Sequence, residues 1–181
     1  MRCFGDDHPD YAAYHDHEWG VPVRDERGLY ERLCLEAFQS GLSWLVILRK
    51  RENFRRAFAG FDPEIVARYA ERDVERLLAD AGIVRNRAKI EAAIANARAT
   101  LDLRDGPQPL PELIWSHAPQ RRPTPPVTWA EVPAITPEST ALAKALKRAG
   151  FRFLGPTTVY AGMQACGLVN DHLRDCPTRT G

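Results

Sequence analysis

The residues best suited to chemistry stand at the two ends of the chain. Cys3 and the run Tyr14-His15-Asp16-His17 lie near the start, and His172-Leu173-Arg174-Asp175-Cys176 lies near the end. Thiolate with imidazole is the common zinc donor set, and two of each complete a closed tetrahedral site. On the N-terminal side His15 and His17 compete for one ligand place beside Cys3, while His172 and Cys176 form a His-x3-Cys pair. One ion held there would clasp two termini that otherwise fray, closing a loop whose entropic cost rises only slowly with length. The other cysteines, in Leu33-Cys34-Leu35 and Ala165-Cys166-Gly167, read as buried small hydrophobes. His8 and His117 have no partner pattern and read as surface residues.

A second candidate is one acid in an apolar stretch, Leu33-Cys34-Leu35-Glu36-Ala37-Phe38. On a helix Glu36 lies one turn from Leu33 and two from Leu29, at the edge of the apolar stripe. Such an acid is either a surface glutamate at a helix edge or a desolvated group facing a cavity, and the second kind marks functional sites. Tyr11 and Tyr14, one helical turn apart, and Trp19 and Trp44 all fall in the same N-terminal part of the chain. Aromatics of a helical protein usually fill its core. Beside a buried acid they can also line a slot for a flat, cationic base.

A third pattern runs from Leu77 to Ile90. One helix stops at Gly82, which is able to take a positive φ, Ile83 anchors the turn, and Asn86 caps the next helix. Free backbone N–H groups and the dipole at that start suit a phosphate, and Arg85, Arg87 and Lys89 add charge. The same spacing also describes an ordinary helix connection. The cluster Arg49-Lys50-Arg51 with Arg55-Arg56 reads as a solvated helix face.

Helical periodicity positions these groups, and no run alternates as a strand would. Helices are expected over residues 10–17, 26–39, 44–49 with 53–59 continuing it, 64–69, 72–80, 87–101, 112–116, 138–149 and 157–165. Gly41 ends the second and Ser43 caps the third; Asp62-Pro63 is a cap followed by proline at the first helical position. Nine of the fourteen prolines lie between Pro107 and Pro137, so that stretch is mostly loop. The 181 residues suit one domain, 1–181. A net charge of +1 excludes a polycation, so nucleic acid would need a local basic face. No apolar run approaches the roughly 20 residues of a membrane helix, and the N-terminus lacks a signal peptide's apolar core. A cytoplasmic protein without structural disulfides is expected.

Several strings together resemble a known family. Tyr14-His15-Asp16-x-Glu18-Trp19-Gly20-Val21-Pro22, Leu35-Glu36-x-x-Gln39-x-Gly41-Leu42-Ser43-Trp44, Lys50-Arg51-Glu52-Asn53, Ala81-Gly82-Ile83-x-Arg85, Lys89-Ile90 and the run from Met163 to His172 are similar, in order, to the 3-methyladenine DNA glycosylase I family. The resemblance implies an all-α, helix-hairpin-helix glycosylase-like domain whose termini are joined by one structural zinc on Cys3, His15, His172 and Cys176. It implies Glu36 as the catalytic pocket carboxylate, Tyr14 and Trp44 as the residues that contact and stack on the base, and Tyr11 and Trp19 as further pocket aromatics. It implies a monomer acting on damaged double-stranded DNA in base excision repair. Two positions depart: Phe4 stands where a tryptophan is frequent, and Phe38 where a small or polar residue is, placing a ring at the pocket edge.

Methylation at N3 makes adenine a delocalised cation that departs as a neutral base, so selection can rest on binding. Strand cleavage is not expected, since a lyase needs a lysine and the hairpin offers Ile83, Val84 and Arg85. The competing readings are a non-catalytic DNA-binding module, a helical zinc protein for protein contacts, and a glycosylase for another lesion such as 3-methylguanine.

Overall fold

His8 starts the first helix, α1 (Pro9–His17), by accepting the Asp10 N–H at 3.2 Å. Asp25 starts the central one, α2 (Glu26–Gln39), by accepting the Gly28 N–H at 2.7 Å. Satisfying these orphan donors is what fixes each helix start. Gly41, at φ +81°, turns the chain into α3 (Trp44–Ala57), a single helix where two pieces were expected. Asp62 caps Pro63–Val66 (α4), and Glu71–Ala79 (α5) and Arg87–Arg104 (α6) follow, the latter capped by Asn86 on the Lys89 N–H at 3.1 Å. The proline-rich stretch contributes α7 (Leu110–Trp115) and a single 3-10 turn, Trp129–Glu131. The chain closes with α8 (Pro137–Arg148), capped by Thr136, and α9 (Pro156–Ala165). This computed structural model describes residues 2–4, 8–120 and 124–179, so residues 121–123 of the expected proline-rich loop lie outside it; among the described residues every element is helical, as expected. None of these helices is long and apolar enough to cross a membrane.

Helix α2 packs against α3, α6, α7 and α9. Residues 33–38 are therefore all buried, and the second half of α2 is surrounded rather than amphipathic. Glu36 accordingly sits inside the molecule, not at the edge of a stripe. Phe38, expected at the pocket edge, faces the opposite way: it is fully buried with its ring 4.7 Å from Phe54 and 5.8 Å from Phe58. Burying a ring of that size stabilises the fold by roughly 1.5–3 kcal/mol, which is why the apolar residue turns to the core.

Two glycines are required by close approach. At Gly167 (φ +72°) an added Cβ would lie 2.7 Å from the Gly20 carbonyl oxygen and the Pro22 nitrogen. That contact lets residues 19–23 dock on the end of α9, with Gly20 N–H donating to Gln164 O and Val23 N–H to Cys166 O. Gly82 differs from expectation: its φ is not positive, and the glycine is needed because a Cβ would meet Asp80 Oδ1 at 2.8 Å and Asn53 at 3.2 Å. Its N–H donates to Asp80 Oδ1 and its carbonyl accepts from Asn53, while Lys50 donates to Ala81 O. The turn between α5 and α6 is thus fastened to α3.

Candidate active site and metal centre

The ends of α1, α2, α3 and α9 enclose a cavity of about 290 Å³. Tyr11, Tyr14 and Trp19 reach it from α1 and the turn after it, Glu36 and Gln39 from α2, Trp44 from the first residue of α3, and Ala161 and Gln164 from α9. Phe4 and Trp129 complete the wall. The five aromatic and acidic residues predicted to share a pocket do share one. Tyr14 and Trp44 lie 5.2 Å apart between ring centroids at 47°, and Phe4 stands 5.1 Å from both Tyr11 and Trp19. Gln39 and Gln164 stood in the family strings without a role. Trp129 was missed: it lies in the proline-rich loop, where no periodicity points inward, and its place is set by its indole N–H donating to the Cys3 carbonyl.

Glu36 is 5% exposed, and no other described residue hydrogen-bonds to its carboxyl. Burial pushes that carboxyl up to about 8, against a smaller downward pull from the Arg32 guanidinium one turn away. Arg32 donates to Glu18 at 3.0 Å, and Glu18 also takes two hydrogen bonds from Arg51. Burial, and next the nearby Glu36, hold the Tyr14 phenol well above its ordinary range. The cavity therefore offers electron-rich ring faces and one acid whose ionisation awaits a positive partner.

Beside the wall, Cys3, His15, His172 and Cys176 are all buried, and their donor atoms lie within 4.8 Å of one another. His17 is exposed and outside this group, so the structure selects His15. The Cys3 and Cys176 sulfurs are each 3.6 Å from His172 Nδ1, and Cys176 Sγ is 3.5 Å from His15 Nε2. Donors on a tetrahedron around zinc sit roughly 3.3–3.8 Å apart, so the set fits such an ion. The outer ring nitrogens are also held: His15 Nδ1 lies 2.8 Å from Asp16, itself bonded to Arg2, and His172 Nε2 lies 3.1 Å from Trp19 O. Such partners fix which nitrogen faces a metal. Burial pushes the Cys3 thiol up to about 11, and a cation between the sulfurs is what draws such thiols to thiolates. Cys34 and Cys166 are buried elsewhere, as expected, whereas His8 and His117 are half-buried, not free surface residues.

The hairpin cations separate. Arg85 is exposed and, among the described residues, unpaired; Arg87 is bound to Glu71 at 2.7 Å and Glu91 at 3.4 Å. Lys89, grouped with them in sequence, is buried and turned inward, its ammonium donating to Phe38 O and Ser40 O. It neutralises carbonyls left open at the end of α2.

The methyladenine glycosylase family model matches residues 4–180. This chain belongs to the methyladenine glycosylase family. It is 53% identical to DNA-3-methyladenine glycosylase 1 of Escherichia coli (strain K12) over 171 residues, 93% of this chain and 90% of that one. It is 45% identical to DNA-3-methyladenine glycosylase of Haemophilus influenzae, covering 94% of this chain and 92% of that one. A crystal structure of a 3-methyladenine DNA glycosylase I superposes with a TM-score of 0.96 at 48% identity, covering 99% of this chain and all of that one. The Staphylococcus aureus enzyme, whose structure concerns 3-methyladenine recognition, gives 0.94 at 37% identity, with 99% and 96% covered. Methyladenine glycosylase membership thus joins the cavity, the acid and the fold in one reading.

Proposed function

We propose that this chain hydrolyses the N-glycosidic bond of 3-methyladenine in alkylated double-stranded DNA, as a cytoplasmic monomer of base excision repair. The buried Glu36 carboxyl in a ring-walled cavity carries the reading. A base must first leave the stack, which costs a few kcal/mol and less when damaged. In the cavity that Tyr14 and Trp44 help to line, a methylated, cationic adenine gains roughly 0.5–2 kcal/mol from a ring face. Its charge also favours release of the Glu36 proton to solvent, so that carboxylate and cationic base become complementary. Neutral adenine brings no charge to offset ionising a buried carboxyl. When the bond from the base nitrogen to C1′ breaks, its electron pair stays on the base, which leaves neutral. Water adds its oxygen at C1′ and releases a proton.

Cys3, His15, His172 and Cys176 would hold one zinc ion, which supplies cross-linking of the termini and folding energy. Cys3 and His15 adjoin the wall residues Phe4 and Tyr14, so the clasp steadies the cavity without touching the scissile bond. Arg85 and the start of α6 are the proposed phosphate contacts, with Arg87 joining if DNA draws it from Glu71. Gly82 contributes by letting the turn seat on Asn53. The inward commitment of Lys89 supports hydrolysis without strand cleavage, because a Schiff base needs a free amine.

The test is incubation with alkylated DNA and chromatography of released bases. Wild type should release 3-methyladenine from uncut strands, and Glu36→Gln should be slower by about two orders of magnitude. No release by wild type, or full activity in Glu36→Gln, would reject the proposal.

A further inference from the structure

The α9 wall of the cavity carries a polar group that the reaction above does not use. Gln164, on the last turn of α9, lines the cavity. Its Nε2 donates to Asp171 Oδ2 at 2.8 Å, and Tyr160, one turn earlier on α9, donates its hydroxyl to the same oxygen at 2.6 Å. Asp171 is 4% exposed and Tyr160 3%. The main chain of Gln164 is pinned as well, its carbonyl accepting from Gly20 and Gly167 N–H.

An amide has a donor end and an acceptor end, and a carboxylate only accepts. With Asp171 behind it, Gln164 cannot turn its NH₂ toward the cavity without facing its own carbonyl oxygen to a buried carboxylate oxygen. That inversion exchanges a good hydrogen bond for a repulsion in a low-dielectric place. Among the described residues nothing donates to Gln164 Oε1, so that oxygen is the end of the amide free to serve the cavity Gln164 lines.

We propose that Gln164 is a specificity-determining residue, its side-chain oxygen accepting from the exocyclic amino group of the bound base, and that Asp171 is the positioning residue that keeps that oxygen inward. This rests on the glycosylase reading of the cavity and deepens it. The ligand class it selects is a methylated purine with an amine at the six-position. A purine with a carbonyl there, such as 3-methylguanine, sets oxygen against oxygen. A site built for one hydrogen-bond polarity discriminates far better than an apolar slot of the same shape.

The experiment measures kcat/KM for release of 3-methyladenine and of 3-methylguanine from alkylated DNA, with bound metal determined on each protein because Asp171 adjoins His172. Relative to wild type, Gln164→Ala should lower kcat/KM for 3-methyladenine and shrink the preference over 3-methylguanine by roughly tenfold. Asp171→Asn frees the amide to rotate and should shrink the same ratio with metal content unchanged. A merely structural role would slow both bases alike and leave the ratio fixed. An unchanged ratio in both variants overturns the inference. Should Asp171→Asn lose metal or fold poorly, the Gln164→Ala ratio alone decides, a wild-type value refuting and a reduced one supporting. Wild type releasing neither base would instead sink the glycosylase reading itself, and the inference with it.

Discussion

Replacing Glu36 by glutamine should make the protein more stable at alkaline pH while it slows the proposed reaction. Burial moves this carboxyl from its ordinary 4.5 to about 8. Between those values the native state holds a proton that the unfolded chain has released. Stability contributed by the protonated form is complete below the unfolded value, falls as pH rises, and is gone above about 8. Each pH unit across that window is about 1.4 kcal/mol, so ionising the folded carboxyl costs up to about 5 kcal/mol relative to the open chain. Glutamine has the same shape and does not titrate. Urea unfolding of both proteins from about pH 5.5 to about pH 9 should therefore show wild type losing roughly 3 kcal/mol more than the variant. Reading the difference between the proteins removes the other titrating groups. Parallel stability curves would mean that Glu36 is not desolvated, and the coupling between acid and cation would fall with it.

Three further variants test the same geometry. Cys176→Ser should lose the bound metal and lower the melting temperature, since removing a structural zinc costs several kcal/mol; elemental analysis showing undiminished metal would reject the ligand set. Arg85→Ala should weaken DNA binding evenly across sequences and reduce the salt slope by about one, whereas Lys89→Met should leave that slope unchanged and destabilise folding by about 1–3 kcal/mol. A Lys89→Met slope that falls like that of Arg85→Ala would contradict the inward placement of Lys89.

The sequence by itself determined the helices, because caps and periodicity act within a few residues. Asp25, Asp62 and Asn86 each mark a helix start by satisfying local N–H groups, and α2 runs over the very residues its pattern predicts. The cysteine and histidine pairs at the two ends stood out in the sequence too, though spacing left His15 and His17 as alternatives, and folding brings Cys3, His15, His172 and Cys176 together. Tertiary structure decided the rest, since burial and polarity of a side chain depend on elements distant along the chain. Glu36 reads as a helix-edge acid until α3 and α9 close over it, and Lys89 reads as a hairpin cation until the end of α2 supplies two open carbonyls. Phe38 turns away from the cavity because Phe54 and Phe58 give its ring a drier place. Trp129 takes its place only when the start of the chain meets the proline-rich loop, and Asp171 holds Gln164 only once the segment after α9 folds back on that helix. Short-range hydrogen bonding is written in neighbouring residues; desolvation is a property of the whole packed molecule, and it is desolvation that raises the Glu36 carboxyl.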